Sequence, residues 1–430
     1  MRAVTRNNLH TKIRDGAVQG LTINSMLEIV GIIFNEVVLL QGFMRALILG
    51  CGNIGSVAAA DLASKTDYKI VVADNELKRA ETLAERLGKS HASAMKLDVT
   101  DRHGLMRQLK GFDAVLGFLP GKLAYKLAES CIEAGRNLVD VSFMGENPLT
   151  LDSRASGAGV ALIPDCGLAP GISNILVGHA IKGFDRVDSV HILVGGIPEK
   201  PIPPLEYVIT WSTESLIDEY TRKARIIRDG QRVDAEVLSE LETIDFPGVG
   251  RLEAFLTDGL RTLLETLKNV PDMWEKTLRY PGHASKISAL KDLGFFGEEK
   301  VTVENVEVSP RRLAVKLLTD KLARPDICDI VAMRVDVSGI KDGKLSSRVY
   351  HLLDRCDAEY GITAMARTTA YPASIVAQLL AEKVIKTKGV VPPEKLGMDD
   401  EVFKRFRNEL TARGITIREE TTKLSDEKDM

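Results

Sequence analysis

Cysteine is scarce in this sequence, and aromatic residues are thin. The five cysteines, Cys51, Cys131, Cys166, Cys328 and Cys356, contain no CxxC pair and are too few and too far apart for a disulfide scaffold. An odd, widely spaced set suits a reducing compartment, so the expected location is the cytoplasm. The seven histidines are scattered, with no HExxH and no Cys/His cluster, so no built-in metal site is expected. At 5% of residues, the aromatics are too sparse for platforms that stack single-stranded nucleic acid. Neither sign of charge dominates, since 57 Lys and Arg face 60 Asp and Glu for a formal net charge of −3. That balance offers no basic footprint for nucleic acid or an anionic membrane. Long hydrophobic runs are missing too. The most apolar early stretch, Ile29 to Leu40, is broken by Asn35 and Glu36 and falls short of the ~20 residues a span needs. It also lacks the layout of a signal peptide. What remains is an enzyme-like chain of 430 residues, 44% hydrophobic and 27% charged. At roughly 150 residues per domain it has room for two or three domains.

What is present is a regular alternation of strand and helix that begins at Met44. Residues 1–43 are therefore expected to be an extension upstream of the functional start, or a small appended helix. Leu47-Ile48-Leu49, Tyr68 to Ala73, Ala94 to Val99, Phe112 to Phe118, Asn137 to Ser142 and Val160 to Pro164 read as strands. Helical segments separate them, among them Leu77 to Leu87 and Leu123 to Ala134, the latter stopped by Gly135. This spacing predicts an α/β fold with a Rossmann-type, doubly wound parallel sheet over 44–166. Residues 167–360 read as a second α+β region for substrate binding and dimer contact. Its strands include Ser189 to Val194 and Val301 to Val308, with a proline-rich loop from Gly195 through Pro204. Over 361–420 a small-residue helix, Thr363 to Leu380, is expected to pack back on the first region. The polar tail 421–430 is expected to fray.

The glycine motif Gly50-Cys51-Gly52-Asn53-Ile54-Gly55 carries the first chemistry. Gly50 permits the tight turn after the strand, Gly52 lets a pyrophosphate approach the backbone, and Gly55 allows close helix–strand packing. Asn53 and Ile54 open the helix whose free amides and dipole favour an anion. Asp74 ends the second strand, nineteen residues beyond Gly55, where a carboxylate can hold both ribose hydroxyls and repel a 2′-phosphate. No Arg follows at once in Asn75-Glu76-Leu77, so NAD is favoured over NADP. Asp74 could instead cap the helix after it. Asp98 and Val99 are candidates for the adenine edge, with a helix cap an equal reading for Asp98. Leu119 and Pro120, just past the fourth strand, are assigned to the cofactor as well.

Asp165-Cys166-Gly167-Leu168-Ala169-Pro170-Gly171 lies at the carboxyl end of a strand and before a helix, where open α/β sheets bind ligands. The set of segments MRALILGCGNIG, IPDCGLAPGISNIL, VGGIPEKPIPPLEY, LEAFLTDG, KTLRYPGHASK, VSGIKDGK and TAMARTTAYPASIVAQLL resembles the saccharopine dehydrogenase-like oxidoreductases, most closely the L-lysine 6-dehydrogenases. The resemblance runs from Met44 to about Glu420. It implies a Rossmann domain, a second domain with a dimer contact, and hydride transfer at an amine-bearing carbon. Saccharopine reductases of that family show GLDPG where this chain has Gly167-Leu168-Ala169-Pro170-Gly171, and their aspartate contacts saccharopine. They also carry an Arg soon after LEAY, in place of Leu256-Thr257-Asp258, and a Ser or Arg in place of Asp74. These departures favour lysine and NAD. Ser142, Thr277 and Arg279 match substrate-contacting positions of the family. Arg279 suits an α-carboxylate, the alternative being an ordinary interdomain salt bridge.

Oxidising lysine at C6 requires that the ε-ammonium first lose a proton, to a carboxylate or histidine of suitable pKa. Asp165, at the strand end, is the first candidate for that base, and a turn aspartate is the plain alternative. His283 is the second, although a lone histidine is more often structural. Glu206 and Tyr207 could bind the α-ammonium or line the cleft, or belong to a solvated loop. Cys166 has no basic neighbour in sequence and reads as packing. The expected activity is NAD-dependent oxidative deamination of L-lysine. A saccharopine reductase or another amine/semialdehyde-joining reductase is the alternative, and a non-catalytic NAD-binding protein a third. Expected partners are a small amino-acid substrate and a second copy of the chain in a homodimer or larger assembly, with no nucleic acid and no membrane.

Overall fold

The computed structural model describes residues 44–88, 90–324 and 327–423. The chain divides into two units, Met1–Met44 and Arg45–Met430. The extension expected over residues 1–43 lies outside the described residues, and so does 424–430 of the expected tail.

Within the second unit the strands are β1 (Arg45–Leu49), β2 (Lys69–Asp74), β3 (Ala92–Lys96), β4 (Ala114–Gly117), β5 (Asn137–Asp140) and β6 (Ala161–Ile163). There follow β7 (Arg186–Pro198), β8 (Ala224–Arg228), β9 (Gln231–Ala235), β10 (Glu242–Phe246), β11 (Gly250–Thr257) and β12 (Asp272–Arg279). The last six are β13 (Val301–Val303), β14 (Val306–Val308), β15 (Asp329–Lys341), β16 (Lys344–Arg355), β17 (Gly389–Val390) and β18 (Ile417–Lys423).

The first sheet has the order β17-β6-β5-β4-β1-β2-β3 and every pairing in it is parallel. Its strands are short and apolar because helices cover both faces. Ile48, Val72 and Leu116 face one buried cluster while Leu47, Leu49, Val71 and Val115 face the other. The strand order reverses between β1 and β4, and ligands of open α/β sheets bind outside the carboxyl ends at such a point. The fold is the doubly wound α/β architecture that the alternation predicts.

The second sheet runs β10-β11-β12-β7-β15-β16-β18, with β8 pairing both β12 and β9. It is mixed, since β12 lies parallel to β7 while β11 and β15 are antiparallel to their neighbours. The helix Ala364–Ala381 leaves this sheet and returns to the helix Asn53–Lys65, where Ala366 and Ala370 pack on Val57 and Ala58. Small side chains on both helices allow that close approach.

Four local expectations need correction. Gly195 to Pro198 belong to β7 rather than to a loop, because a Cβ at Gly195 would lie 2.3 Å from the Leu278 carbonyl oxygen and only glycine lets the strands sit so close. Val301 to Val308 is a hairpin and not one strand. Glu304 and Asn305 take φ of 48° and 67°, the double positive φ of a tight hairpin turn. Residues 421–423 of the expected tail extend β18 along β16. Cys328 and Cys356 are joined in a disulfide with a Cα–Cα distance of 5.3 Å. They lie 28 residues apart in sequence, but the β15–β16 hairpin aligns Ile330 with Arg355 and so brings them together.

Candidate active site

The glycine loop has the geometry its spacing demands. Gly50 takes φ +100°, and a Cβ there would lie 2.4 Å from the Phe118 carbonyl oxygen. A Cβ at Gly55 would lie 2.0 Å from the Gly50 carbonyl oxygen, so the helix Asn53–Lys65 can start only against a bare Cα. At Gly52 an added Cβ would meet nothing within 4 Å. The loop is therefore closed toward the sheet and open on its outer side, which is the cradle a pyrophosphate needs. Asp74 accepts hydrogen bonds from the Cys51 amide at 2.9 Å and the Glu76 amide at 3.0 Å. It ties the loop to the end of β2 and is not the helix cap, which falls at Glu76. A carboxylate has about four acceptor positions, so roughly two remain for hydroxyls.

One cavity of about 520 Å³ extends from this loop across to the second sheet. Gly52, Asn53, Ile54, Gly55, Leu119 and Pro120 line its glycine-loop end, whereas Gly50 and Asp74 are not on its wall. Ser142, Tyr207, Thr277 and Arg279 line the other end together with Ala169, Glu219, Asp258 and Glu275. Asp98 and Val99 do not reach the cavity. Asp98 is exposed and accepts from the Thr100 amide and hydroxyl at 2.8 and 2.7 Å. Those bonds hold its carboxyl below the usual range, and it serves a turn.

Both residues expected to act as the base are committed elsewhere. Asp165 is fully buried and, at φ 54°, turns its carboxylate onto the Arg261 guanidinium, with both contacts at 3.2 Å. The pair is separated by 96 residues, so nothing local in the sequence announces it. His283 is also fully buried. Its Nδ1 lies 2.7 Å from the Leu205 carbonyl oxygen and so carries the proton, leaving Nε2 to accept from the Tyr220 hydroxyl at 2.9 Å. Desolvation, with Arg279 nearby, pushes its pKa down to about 3. It is a neutral support behind Arg279. Glu206 is turned away onto Lys286, so it does not join the cavity. Cys166 is buried with its thiol pushed up, in keeping with packing.

Arg279 is held in three places: Nε donates to the Tyr220 hydroxyl at 3.2 Å, Nη1 to the Leu278 carbonyl at 2.9 Å and Nη2 to Glu219 at 3.1 Å. Its guanidinium also sits 4.7 Å over the Tyr207 ring. A guanidinium has five N–H groups, so two remain for a ligand in the cavity. Thr277 donates to the same Glu219 oxygen at 2.8 Å. Ser142 donates to Asp140 at 3.2 Å. Burial pushes the Asp140 carboxyl up to about 7.

The residue that sequence reasoning missed is Glu275. On β12, Glu275, Thr277 and Arg279 alternate with Lys276 and Leu278, so all three present to one face. That alternation was legible, with Thr277 and Arg279 already singled out. Glu275 is 4% exposed and its Oε2 is buried with no hydrogen-bond partner. The carboxylate fits there because Gly259 has no side chain: a Cβ at that position would lie 1.5 Å from Glu275 Oε1. Burial, reinforced by Glu219 and Asp258, pushes its pKa up to about 8. Asp258 is paired with Arg225 through contacts of 2.7 and 2.6 Å. Arg79 also lines the cavity near the glycine loop and is paired with Glu76 at 2.9 Å.

A glycine loop of the nucleotide-binding type and a buried set of charged side chains share one cleft. Residues 46–163 match the saccharopine dehydrogenase NADP binding domain and residues 167–415 the saccharopine dehydrogenase C-terminal domain. The chain belongs to the saccharopine dehydrogenase family. It is 26% identical to alpha-aminoadipic semialdehyde synthase of Arabidopsis thaliana over 84% of this chain, a match that spans 41% of the Arabidopsis protein's length. It is 23% identical to saccharopine dehydrogenase [NADP(+), L-glutamate-forming] of Saccharomyces cerevisiae, covering 88% of this chain and 99% of the yeast enzyme. Carboxyaminopropylagmatine dehydrogenase of Synechocystis is also 23% identical, over 83% of this chain and 93% of its own. The solved yeast saccharopine dehydrogenase structure shares the fold, with a TM-score of 0.72 at 20% identity over 88% of this chain and 100% of that one.

Proposed function

We propose that this chain is an NAD-dependent dehydrogenase that oxidises L-lysine at C6, giving 2-aminoadipate 6-semialdehyde and ammonia. The observation that carries the reading is the single cavity joining the open glycine loop to Arg279 and its two unspent N–H groups. Arg279 would bind the α-carboxylate in the forked geometry that guanidinium favours. Thr277, Tyr207 and Ser142 would line the path of the side chain. Ala169 lies on the wall and, with no charge of its own, offers nothing to the second amino acid of a saccharopine-sized substrate. Arg261, which follows the LEAF segment, is bonded to Asp165 away from the cavity wall and offers nothing to that half either. When bound, the nicotinamide supplies the hydride acceptor. The imine left at C6 adds water, loses ammonia and closes to piperideine-6-carboxylate.

Asp74 supports NAD, because a carboxylate at the end of β2 would meet the ribose and repel a 2′-phosphate. Two observations favour a second reading, an NADP-linked reductase that joins an amine to a semialdehyde: residues 46–163 match an NADP binding domain, and Arg79 lines the cavity beside the loop, where a guanidinium could meet a 2′-phosphate. The test is reduced-nucleotide formation from L-lysine compared with ornithine and saccharopine, run with NAD and with NADP and coupled to ammonia detection. Lysine-dependent NADH with equimolar ammonia is expected. Turnover of saccharopine with NADP and no ammonia would establish the second reading, and nucleotide binding without turnover of any amine would refute both.

We also propose a homodimer or larger assembly, which the exposed apolar side chains Leu293, Val303 and Val306 support. Cytoplasmic location is proposed from the sparse cysteines, and the Cys328–Cys356 disulfide weighs against it.

A further inference from the structure

We infer that Glu275 is the acid–base residue of this site, receiving the substrate's distal ammonium and taking its proton. The inference rests on the lysine reading and names the group that reading leaves open. The geometry comes from β12. Glu275 and Arg279 lie on one face of one strand, four residues apart, so their Cα atoms are about 13 Å apart along the rise of an extended chain. The Arg279 guanidinium and the Thr277 hydroxyl meet on one Glu219 oxygen, which shortens the span between the carboxylate-binding and ammonium-binding groups toward that of an extended diamino acid. Thr277 stands between them.

The other carboxylates facing Glu275 already have partners of their own. Asp258 is paired with Arg225, and Glu219 accepts from both Arg279 and Thr277. Of these three carboxylates only Glu275 has a buried oxygen without a partner, Oε2, and Glu275 lies on the cavity wall, so an ammonium drawn against it would satisfy that oxygen. An isolated buried carboxyl is costly to ionise and cheap once an ammonium lies against it. The proton step is then simple. The N–H bond of the ammonium breaks, its electron pair stays on nitrogen, and an O–H bond forms on Glu275. The free amine can then stabilise positive charge at the neighbouring carbon. With its carboxyl held up near 8 by burial, Glu219 and Asp258, Glu275 is well placed to take and release a proton close to neutrality.

The experiment compares wild type with Glu275→Gln and Glu275→Asp on two readouts. The first is equilibrium binding of L-lysine and of L-norleucine, the same chain without its distal nitrogen, in the presence of NADH. Wild type is expected to prefer lysine at least ~10-fold and Glu275→Gln to lose that preference, with NADH affinity unchanged in both. The second is turnover with lysine. Glu275→Gln is expected to lose ~10²–10⁴-fold in kcat and Glu275→Asp to recover part of it. The rising limb of wild-type kcat/KM near pH 8 should vanish in Glu275→Gln. If wild type neither binds nor oxidises lysine, the substrate reading falls and takes this inference with it. If wild type oxidises lysine and Glu275→Gln keeps its rate and pH profile, Glu275 alone is overturned.

Discussion

At the scale of single residues, burial decides which titratable groups can do chemistry. His283 and Glu275 both lie away from water, yet their surroundings give them opposite roles. His283 has a carbonyl on one ring nitrogen and a hydroxyl on the other, so its neutral form is fully satisfied. Its pKa falls from 6.5 to about 3. Between those pH values the unfolded chain holds a proton that the folded chain does not, so folding stability is complete above pH 6.5 and is lost as pH falls toward 3. The slope from this one group is at most ~1.4 kcal/mol per pH unit. Urea unfolding of wild type and His283→Gln between pH 7 and pH 4 should show the wild type losing stability more steeply. Parallel curves would mean that His283 is protonated in the folded protein. Sequence alone marked His283 as a candidate because it has no means of displaying the partners, Leu205 and Tyr220, that make it inert as a base. Asp165 failed for the same reason, its partner Arg261 lying far along the chain. Glu275 was within reach, since strand alternation places it beside two residues the sequence had already marked.

Among elements, the glycine loop was legible because its information is local. Gly55 answers to the Gly50 carbonyl within the turn, Gly50 to Phe118 just past the neighbouring β4, and Gly52 to open space. The three positions are not equivalent, and their substitutions should separate. Gly52→Ala meets nothing in the protein and sits at φ −74°, a backbone any residue adopts. It should fold with wild-type stability but weaken nucleotide binding at least ~10-fold, because the methyl group occupies the space left for the pyrophosphate. Gly55→Ala places a Cβ against the Gly50 carbonyl. It should cost about 1–3 kcal/mol of stability through overpacking, in addition to lost binding. Calorimetric titration with NADH beside chemical unfolding distinguishes the two. Equal stability losses would show that the loop's outer side is not open. Longer-range features of the elements were less legible. The Val301–Val308 hairpin and the extension of β18 depend on positive φ at a turn and on a strand partner, and neither has a strong pattern in the residues themselves.

At the scale of the whole molecule, the cavity depends on segments from opposite ends of the sequence. The helix Ala364–Ala381 supplies Met365 and Thr369 to the cavity wall. Its first turn is fixed by Asp329, whose carboxylate accepts from the Ala364 and Met365 amides at 2.5 and 3.0 Å. Farther along, Ser374 donates to Asp61 at 2.5 Å, and Asp61 accepts from Arg413 at 2.8 Å. This seam joins the helices Asn53–Lys65, Ala364–Ala381 and Asp400–Ala412. Both charges are nearly inaccessible, at 4% and 2% exposure, and Arg413 has a second partner in Glu409 at 2.6 Å, so losing Asp61 leaves Arg413 one carboxylate and leaves Ser374 without its acceptor. Asp61→Ala should therefore cost about 1–3 kcal/mol, whereas Asp61→Leu with Arg413→Met, which removes both charges and refills the space, should recover most of it. Because the helix is anchored separately at Asp329, KM for the amine substrate and for the nucleotide at 25 °C should stay within about twofold of wild type in both variants. Urea midpoints and steady-state kinetics on the same preparations check this. A single variant with an unmoved midpoint would show that the seam carries no stability, and a raised KM in the double variant would show that it also sets the position of Met365 and Thr369.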